Sequence, residues 1–381
     1  MLNEKFSASS ALSVLWAVPG HAALAAVTLF AVMGLGAWQM IGAALTPGGL
    51  TFPHSWLDLR EGRTTGTLEK QLDLKLPARS ALITTANSTR YLLTGSGGDQ
   101  VRTGRDGWLF LTEELRFETN GATHLNARAD LLGKASKELA QQGISLVVVV
   151  VPDKARVHAS HLWATVYPDY LRARYPDALS ALRQRGVQVV DLLQPFTAAG
   201  TDLYYRSDTH WNQVGARLAA DTIAQAVKTA QPALDATLFK SVSEGAPAER
   251  SGDLIRLMGL EGVPAALRPS SDTETAILTR QTSADSPAGL FGDTVVPVVL
   301  VGTSYSLRGN FHGFLQQALS AKVLNSAKDG GGFLQAATAY LTDEAFKTSK
   351  PKVLVWEIPE RQLQVPLDAE AGWLEKVHLQ R

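Results

Sequence analysis

The sequence predicts an α/β domain built on a mostly parallel sheet, and three observations carry that prediction. Apolar runs at Ile144–Val151, Val187–Leu192, Val295–Val301 and Lys352–Ile358 show little polar alternation, as expected of strands buried on both faces. Segments of helical spacing stand between them, the rhythm of a sheet covered by crossover helices. Polar clusters follow at 152–154, 302–306, 330–332 and 357–361, where open α/β sheets bind ligands beyond the carboxyl ends of their strands.

The first stretch of note, Ala22–Leu45, carries no charge and only Gln39 as a strongly polar interruption. At about 1.5 Å per residue it is long enough for a bilayer core of about 30 Å. Trp38 lies near its far end, where amphipathic rings settle. Gly42-Ala43-Ala44 resembles a signal-peptidase site, but the apolar region of a signal peptide is usually only about 7–15 residues, so an uncleaved anchor is expected. Lys5 precedes the span and the next basic residue is Arg60. That asymmetry puts residues 1–21 in the cytoplasm and the remainder beyond an inner membrane.

Residues 46–66 are rich in Pro, Gly and Thr and read as a linker, leaving 67–381 as the folded domain. Pro77 opens a helix expected over 78–94. Residues 100–112 read as a hairpin turning at Arg105-Asp106-Gly107. Leu125, Ala129, Leu132, Ala135 and Leu139 give residues 123–142 helical spacing, which stops at Gly143. Further helices are expected over 176–185, 212–229, 310–320 and 333–344, with a short strand near 321–325. Residues 241–290, rich in Ser, Ala, Pro and Asp with weak periodicity, read as an irregular insertion.

Composition excludes several functions. Lys plus Arg and Asp plus Glu both number 36, with no basic cluster, so nucleic acid is not the expected partner. The absence of cysteine removes disulfides, thiolate zinc sites and cysteine nucleophiles together. His158 and His161 stand three apart without a supporting carboxylate or thiolate, so neither a metal nor another cofactor is expected.

The densest chemistry lies in Leu203–Asn212, where Asp208 and His210 sit at the mouth of an apolar helix. An Asp beside a His can fix its tautomer and stabilise its protonated form. A nucleophile is offered by Ser304, delivered by the run Val295–Val301 to a glycine turn whose N–H groups, at Tyr305 among them, can face an oxyanion. Each half has a plainer reading: Ser304 as a helix cap, and Asp208 with His210 as a cap and a core histidine. Together they are more specific, because both fall at strand carboxyl ends of one sheet. Trp108 and Phe110 are expected to pack inward rather than to stack on sugars. Trp211 reads equally as packing beneath a site or lining a glycan groove, and Lys154 as a solvated strand-end charge.

Four motifs in order, Gly104-Arg105-Asp106-Gly107-Trp108-Leu109-Phe110, Asp208-Thr209-His210-Trp211, Gly302-Thr303-Ser304-Tyr305-Ser306 and Val355-Trp356-Glu357-Ile358-Pro359-Glu360-Arg361, together resemble the alginate O-acetyltransferase family of AlgJ/AlgX type. The resemblance runs from about residue 67 to 365. It implies an SGNH-hydrolase-like three-layer sandwich with permuted motif order, in which Ser304 is the nucleophile, His210 the general base and Asp208 its orienting acid. Gly330 would stand for the second SGNH motif. Residues 357–361 hold the place of Gly-x-Asn-Asp but contain no Asn, so Arg361 is the substitute donor. Thr303 replaces an Asp found in most SGNH enzymes. The resemblance further implies periplasmic O-acetylation of an exopolysaccharide, alginate-like or cellulose-like, with acetyl groups supplied by a multipass membrane acyltransferase. An acetylesterase of the same fold and a non-catalytic glycan-binding subunit are the alternatives.

Overall fold

The computed structural model describes residues 79–163, 167–282, 296–368 and 370–379, with isolated positions between Gly34 and Arg60. The expected span over 22–45 and linker over 46–66 lie outside the described residues, apart from those positions. Among the described residues, no helix is long and apolar enough to cross a membrane. The chain divides into two units, 1–86 and 87–381, and the sheet lies wholly in the second. The division falls within helix α1 (Arg79–Thr94), close to the expected 78–94.

A hairpin follows α1. Strands β1 (Val101–Thr103) and β2 (Leu109–Leu111) pair antiparallel around a turn in which Asp106 and Gly107 both adopt positive φ. Trp108 and Phe110 are fully buried, as the inward packing required.

Helix α2 (Gly121–Gln141) leads through Gly143, whose φ of 78° few other residues tolerate, into β3 (Ser145–Val151). Helix α3 (Arg174–Gln184) and β4 (Gln188–Asp191) come next, then α4 (Gln213–Ala230). After the insertion come β7 (Val298–Val301), α6 (Phe311–Leu319), β8 (Val323–Asn325), α7 (Gln335–Thr342), α8 (Glu344–Thr348) and β9 (Val353–Pro359). The strands form one sheet, ordered β4-β3-β9-β7-β8 and parallel throughout.

The uninterrupted valines of β3 now have a cause. Leu146, Val148 and Val150 pack with Leu132 of α2, Leu179 of α3 and Ala337 of α7. Val147, Val149 and Val151 face the other way, with Ala220 and Ile223 of α4 and Phe314 of α6. Successive side chains of a strand point to opposite faces, so a sheet covered on both sides needs apolar residues at every position. The result is the three-layer sandwich that the sequence implied.

Two expectations need correction. The helix expected over 333–344 is the shorter α7, and a separate helix, α8, begins at its end, because Asp343 leaves the helix and its carboxylate accepts from the Ala345 N–H at 2.8 Å, capping α8. The insertion is not irregular: β5 (Phe239–Arg250) and β6 (Asp272–Gln281) form an antiparallel ribbon, joined through the short helix α5 (Asp253–Leu257). Its strands carry polar residues on both faces and break register between Glu244 and Ala248, so the apolar alternation that marks a strand is missing.

Candidate active site

Three strand ends and one loop meet above the carboxyl edge of the sheet. Past β7 the chain turns at Gly302, where a Cβ would stand 2.5 Å from the Glu357 carboxylate, so only glycine fits. Thr303 then caps a single 3-10 turn, Ser304–Leu307. Glu357, buried on β9, holds this turn from below. Its carboxylate accepts the Thr303 N–H at 2.7 Å, the Thr303 hydroxyl at 3.1 Å and the Ser306 hydroxyl at 3.0 Å. Burial raises the Glu357 carboxyl, and these hydrogen bonds offset part of that rise. Ser304, first in the turn, stays half-buried, and its N–H has no acceptor within a turn it opens.

The second component is not at a strand end, as the sequence suggested. Asp208 and His210 lie in the loop between the helix Leu193–Ala198 and α4, closed by a bridge between Tyr204 and Trp211. Asn212 begins α4 by accepting the N–H groups of Val214 and Gly215 at 2.9 and 3.0 Å. The loop carries the imidazole toward β7. His210 Nε2 lies 2.7 Å from Ser304 Oγ, and His210 Nδ1 lies 2.6 Å from Asp208 Oδ1. An ionised carboxylate only accepts, so Nδ1 carries the proton and Nε2 is left to accept from the serine hydroxyl. Burial alone would raise the Asp208 carboxyl, but the His210 hydrogen bond and charge, with the Arg250 guanidinium, hold it well below the usual carboxylate range.

Lys154 is a correction. Read as a solvated charge, it is fully buried, and its ammonium donates to the carbonyls of Leu109, Arg206 and Asp208 at 2.5, 2.9 and 2.9 Å. It thus ties the hairpin to the loop that carries the acid. Burial pushes it down to about 8, although Glu114 and Asp208 pull the other way.

Of the remaining candidates, Trp211 and Tyr305 pack beneath the site, and Arg361 and Gly330 lie apart from the triad hydrogen bonds. Trp211 is fully buried, its ring 5.1 Å from that of Tyr305 and 4.8 Å from Phe311, which removes it as a groove wall. Tyr305 is buried as well: its hydroxyl donates to Thr209 O at 3.0 Å and its N–H is directed at Thr303 Oγ1 at 3.4 Å. Arg361 is no surface ion pair. It lies 5.9 Å from the Tyr305 ring, with Asp153 and Glu113 as its carboxylate neighbours at 3.6 and 3.4 Å. Gly330, with φ of 65°, borders a cavity of about 590 Å³ with Arg128, Lys328, Gln335 and Glu370, and no triad side chain lines it. His158 accepts the Leu203 N–H at 3.3 Å and is pushed down to about 4 by burial; His161 pairs with Asp106 at 3.3 Å.

Glu357 makes a test of the turn. Glu357→Ala leaves two buried hydroxyls and one N–H without their acceptor, so a loss of about 3 kcal/mol in urea unfolding is expected. Turnover at Ser304 should fall by roughly 10- to 100-fold as the turn loosens. Unchanged urea midpoint and turnover would show that the turn holds itself.

A family model described as an SGNH hydrolase-like domain, acetyltransferase AlgX, matches residues 101–360. A probable alginate O-acetylase AlgJ of Pseudomonas putida is 34% identical over 88% of this chain and 88% of its own length. Among solved structures, the O-acetyltransferase domain of Pseudomonas putida AlgJ superposes with a TM-score of 0.63 at 33% identity, covering 73% of this chain and 98% of that one. Pseudomonas aeruginosa AlgX superposes at 0.56 with 27% identity over 73% of this chain and 66% of its own.

Proposed function

The chain belongs to the SGNH hydrolase-like acetyltransferase family of AlgX, and on that premise we propose that it O-acetylates an exopolysaccharide through an acetyl-serine on Ser304. The observation that carries this reading is the unbroken chain Asp208 Oδ1, His210, Ser304 Oγ, at 2.6 and 2.7 Å, ending on a half-buried serine.

The chemistry follows from the geometry. His210 Nε2 takes the Ser304 hydroxyl proton as Oγ bonds to the acetyl carbonyl carbon. The tetrahedral oxyanion faces the Ser304 N–H at the open end of its turn. As the donor's ester bond breaks, Nε2 returns the proton to the departing oxygen and leaves acetyl-Ser304. A sugar hydroxyl then gives its proton to Nε2 and attacks the acetyl carbon, regenerating Ser304. Asp208, ionised throughout, stabilises the imidazolium that forms twice in each cycle.

The uncharged run Ala22–Leu45 supports a single-span tether to the inner membrane, with the domain in the periplasm. A multipass membrane acyltransferase is the proposed source of acetyl groups. Alginate, the polymer in the relatives' names, is the first acceptor to test. The test incubates the protein with an activated acetyl ester, with and without alginate oligosaccharides. Acetylated oligomer is expected to rise as free acetate falls. Acetate alone, at every oligomer concentration, would replace the transferase with an esterase.

A further inference from the structure

The geometry assigns Arg250 as a positioning residue of the triad, reaching it from the inserted ribbon. The inference rests on the acetyl-serine reading but concerns the acid rather than the nucleophile. Asp208 has two carboxylate oxygens with divided duties. Oδ1 accepts His210 Nδ1–H at 2.6 Å and the His210 N–H at 2.9 Å. Oδ2 is held entirely from the insertion, by Arg250 Nη1–H at 2.9 Å and by the Asp253 N–H at 3.2 Å.

The rest of the loop is gripped from the same side. Asp272 accepts the N–H groups of Arg206 and Ser207 at 2.8 and 3.0 Å, and Asp253 Oδ1 accepts the Thr209 N–H at 2.7 Å. Arg250 stacks over the Tyr205 ring at 4.1 Å, and Glu274 lies 3.6 Å from its Nε.

Arg250 matters most because a second carboxylate competes for the same imidazole. Asp253 Oδ2 stands 3.7 Å from His210 Nδ1, against 2.6 Å for Asp208 Oδ1. Two carboxylates beside one ring nitrogen repel each other, and a guanidinium on Asp208 Oδ2 settles which is ionised and which the ring faces. Without it, Asp208 Oδ2 keeps only the Asp253 N–H at 3.2 Å, its charge is no longer favoured over that of Asp253, and the ring can turn toward Asp253, moving Nε2 off Ser304.

The test compares wild type, Arg250→Ala, Arg250→Lys and a ribbon control in full-length protein, Arg280→Ala, which removes an exposed guanidinium of β6 paired with Glu244. Turnover of an activated acetyl ester is measured beside the proton spectrum, where a short His Nδ1–H to carboxylate bond gives a resonance far downfield of the amides. Arg250→Ala should lose about 10- to 100-fold in kcat with KM little changed, and should lose or shift that resonance. Arg250→Lys should recover part of both, and Arg280→Ala should retain both. Unchanged kcat and resonance in Arg250→Ala overturn the assignment; so does lost activity with the resonance intact, which marks a merely structural role. If wild type turns over no ester but its resonance still vanishes in Arg250→Ala, positioning stands and the acetyl-serine reading fails.

Discussion

Ser304→Ala is expected to abolish the acetyl-enzyme and to cut turnover of an activated acetyl ester by about 10⁴-fold or more, at unchanged stability. The hydroxyl makes one contact of consequence, 2.7 Å to His210 Nε2, and its residue is only half-buried. Its removal takes one partner from the buried His210 ring, at a half-buried position where water can replace the hydroxyl. His210→Ala should cost a similar amount, and the double variant little more, because residues acting as one unit are far from additive. Mass spectrometry of ester-treated protein supplies the direct readout: an acetyl increment on the peptide carrying Ser304, absent from Ser304→Ala. Turnover retained in Ser304→Ala would place the nucleophile elsewhere.

What could be read from the sequence was whatever follows from burial and local geometry. The buried strands were legible because β3 and β9 are apolar at nearly every position, a pattern that segments this short rarely show unless both faces of the sheet are covered. Ser304 was legible from a glycine turn after such a strand, and His210 from a neighbouring acid; their pairing rested on placing both at strand ends, and their roles on resemblance. The structure adds that Asp208 and His210 sit on an inter-helix loop, which no strand signal marks. Arg250 and Asp253 were illegible because they end and follow a ribbon strand whose polar residues read as an irregular insertion. Glu357 stood inside a segment singled out for the wrong reason: the missing Asn drew attention to an oxyanion donor, whereas the carboxylate accepts from the nucleophile's turn. Lys154 was misread because a charge after a strand is usually wet, and nothing local reveals three inward carbonyls contributed by β2 and the loop before α4.

That misreading yields the second large effect. Lys154→Met keeps the length of the stem but takes the ammonium from the carbonyls of Leu109, Arg206 and Asp208, leaving Arg206 O with the Leu109 N–H at 2.9 Å. Stranding buried carbonyls costs about 1–3 kcal/mol each, and relief from burying an ammonium returns part of it. A net loss of roughly 2–4 kcal/mol in urea unfolding at neutral pH is expected. Turnover should fall by about 10²-fold as well, because the Asp208 main chain loses its tether and a shift of about 1 Å at the acid is enough for such a loss. The pH dependence separates this role from simple packing. The folded state holds Lys154 near 8, below its ordinary value of 10.5, so between these values the unfolded chain binds more protons and wild-type stability gains with rising pH. The gain approaches roughly 3 kcal/mol across that window. Lys154→Met cannot make it, so the stability gap between wild type and variant should widen from pH 8 toward pH 10. A gap that stays constant with pH would mean that folding does not depress the Lys154 ammonium, and the cost assigned to its burial would fall away.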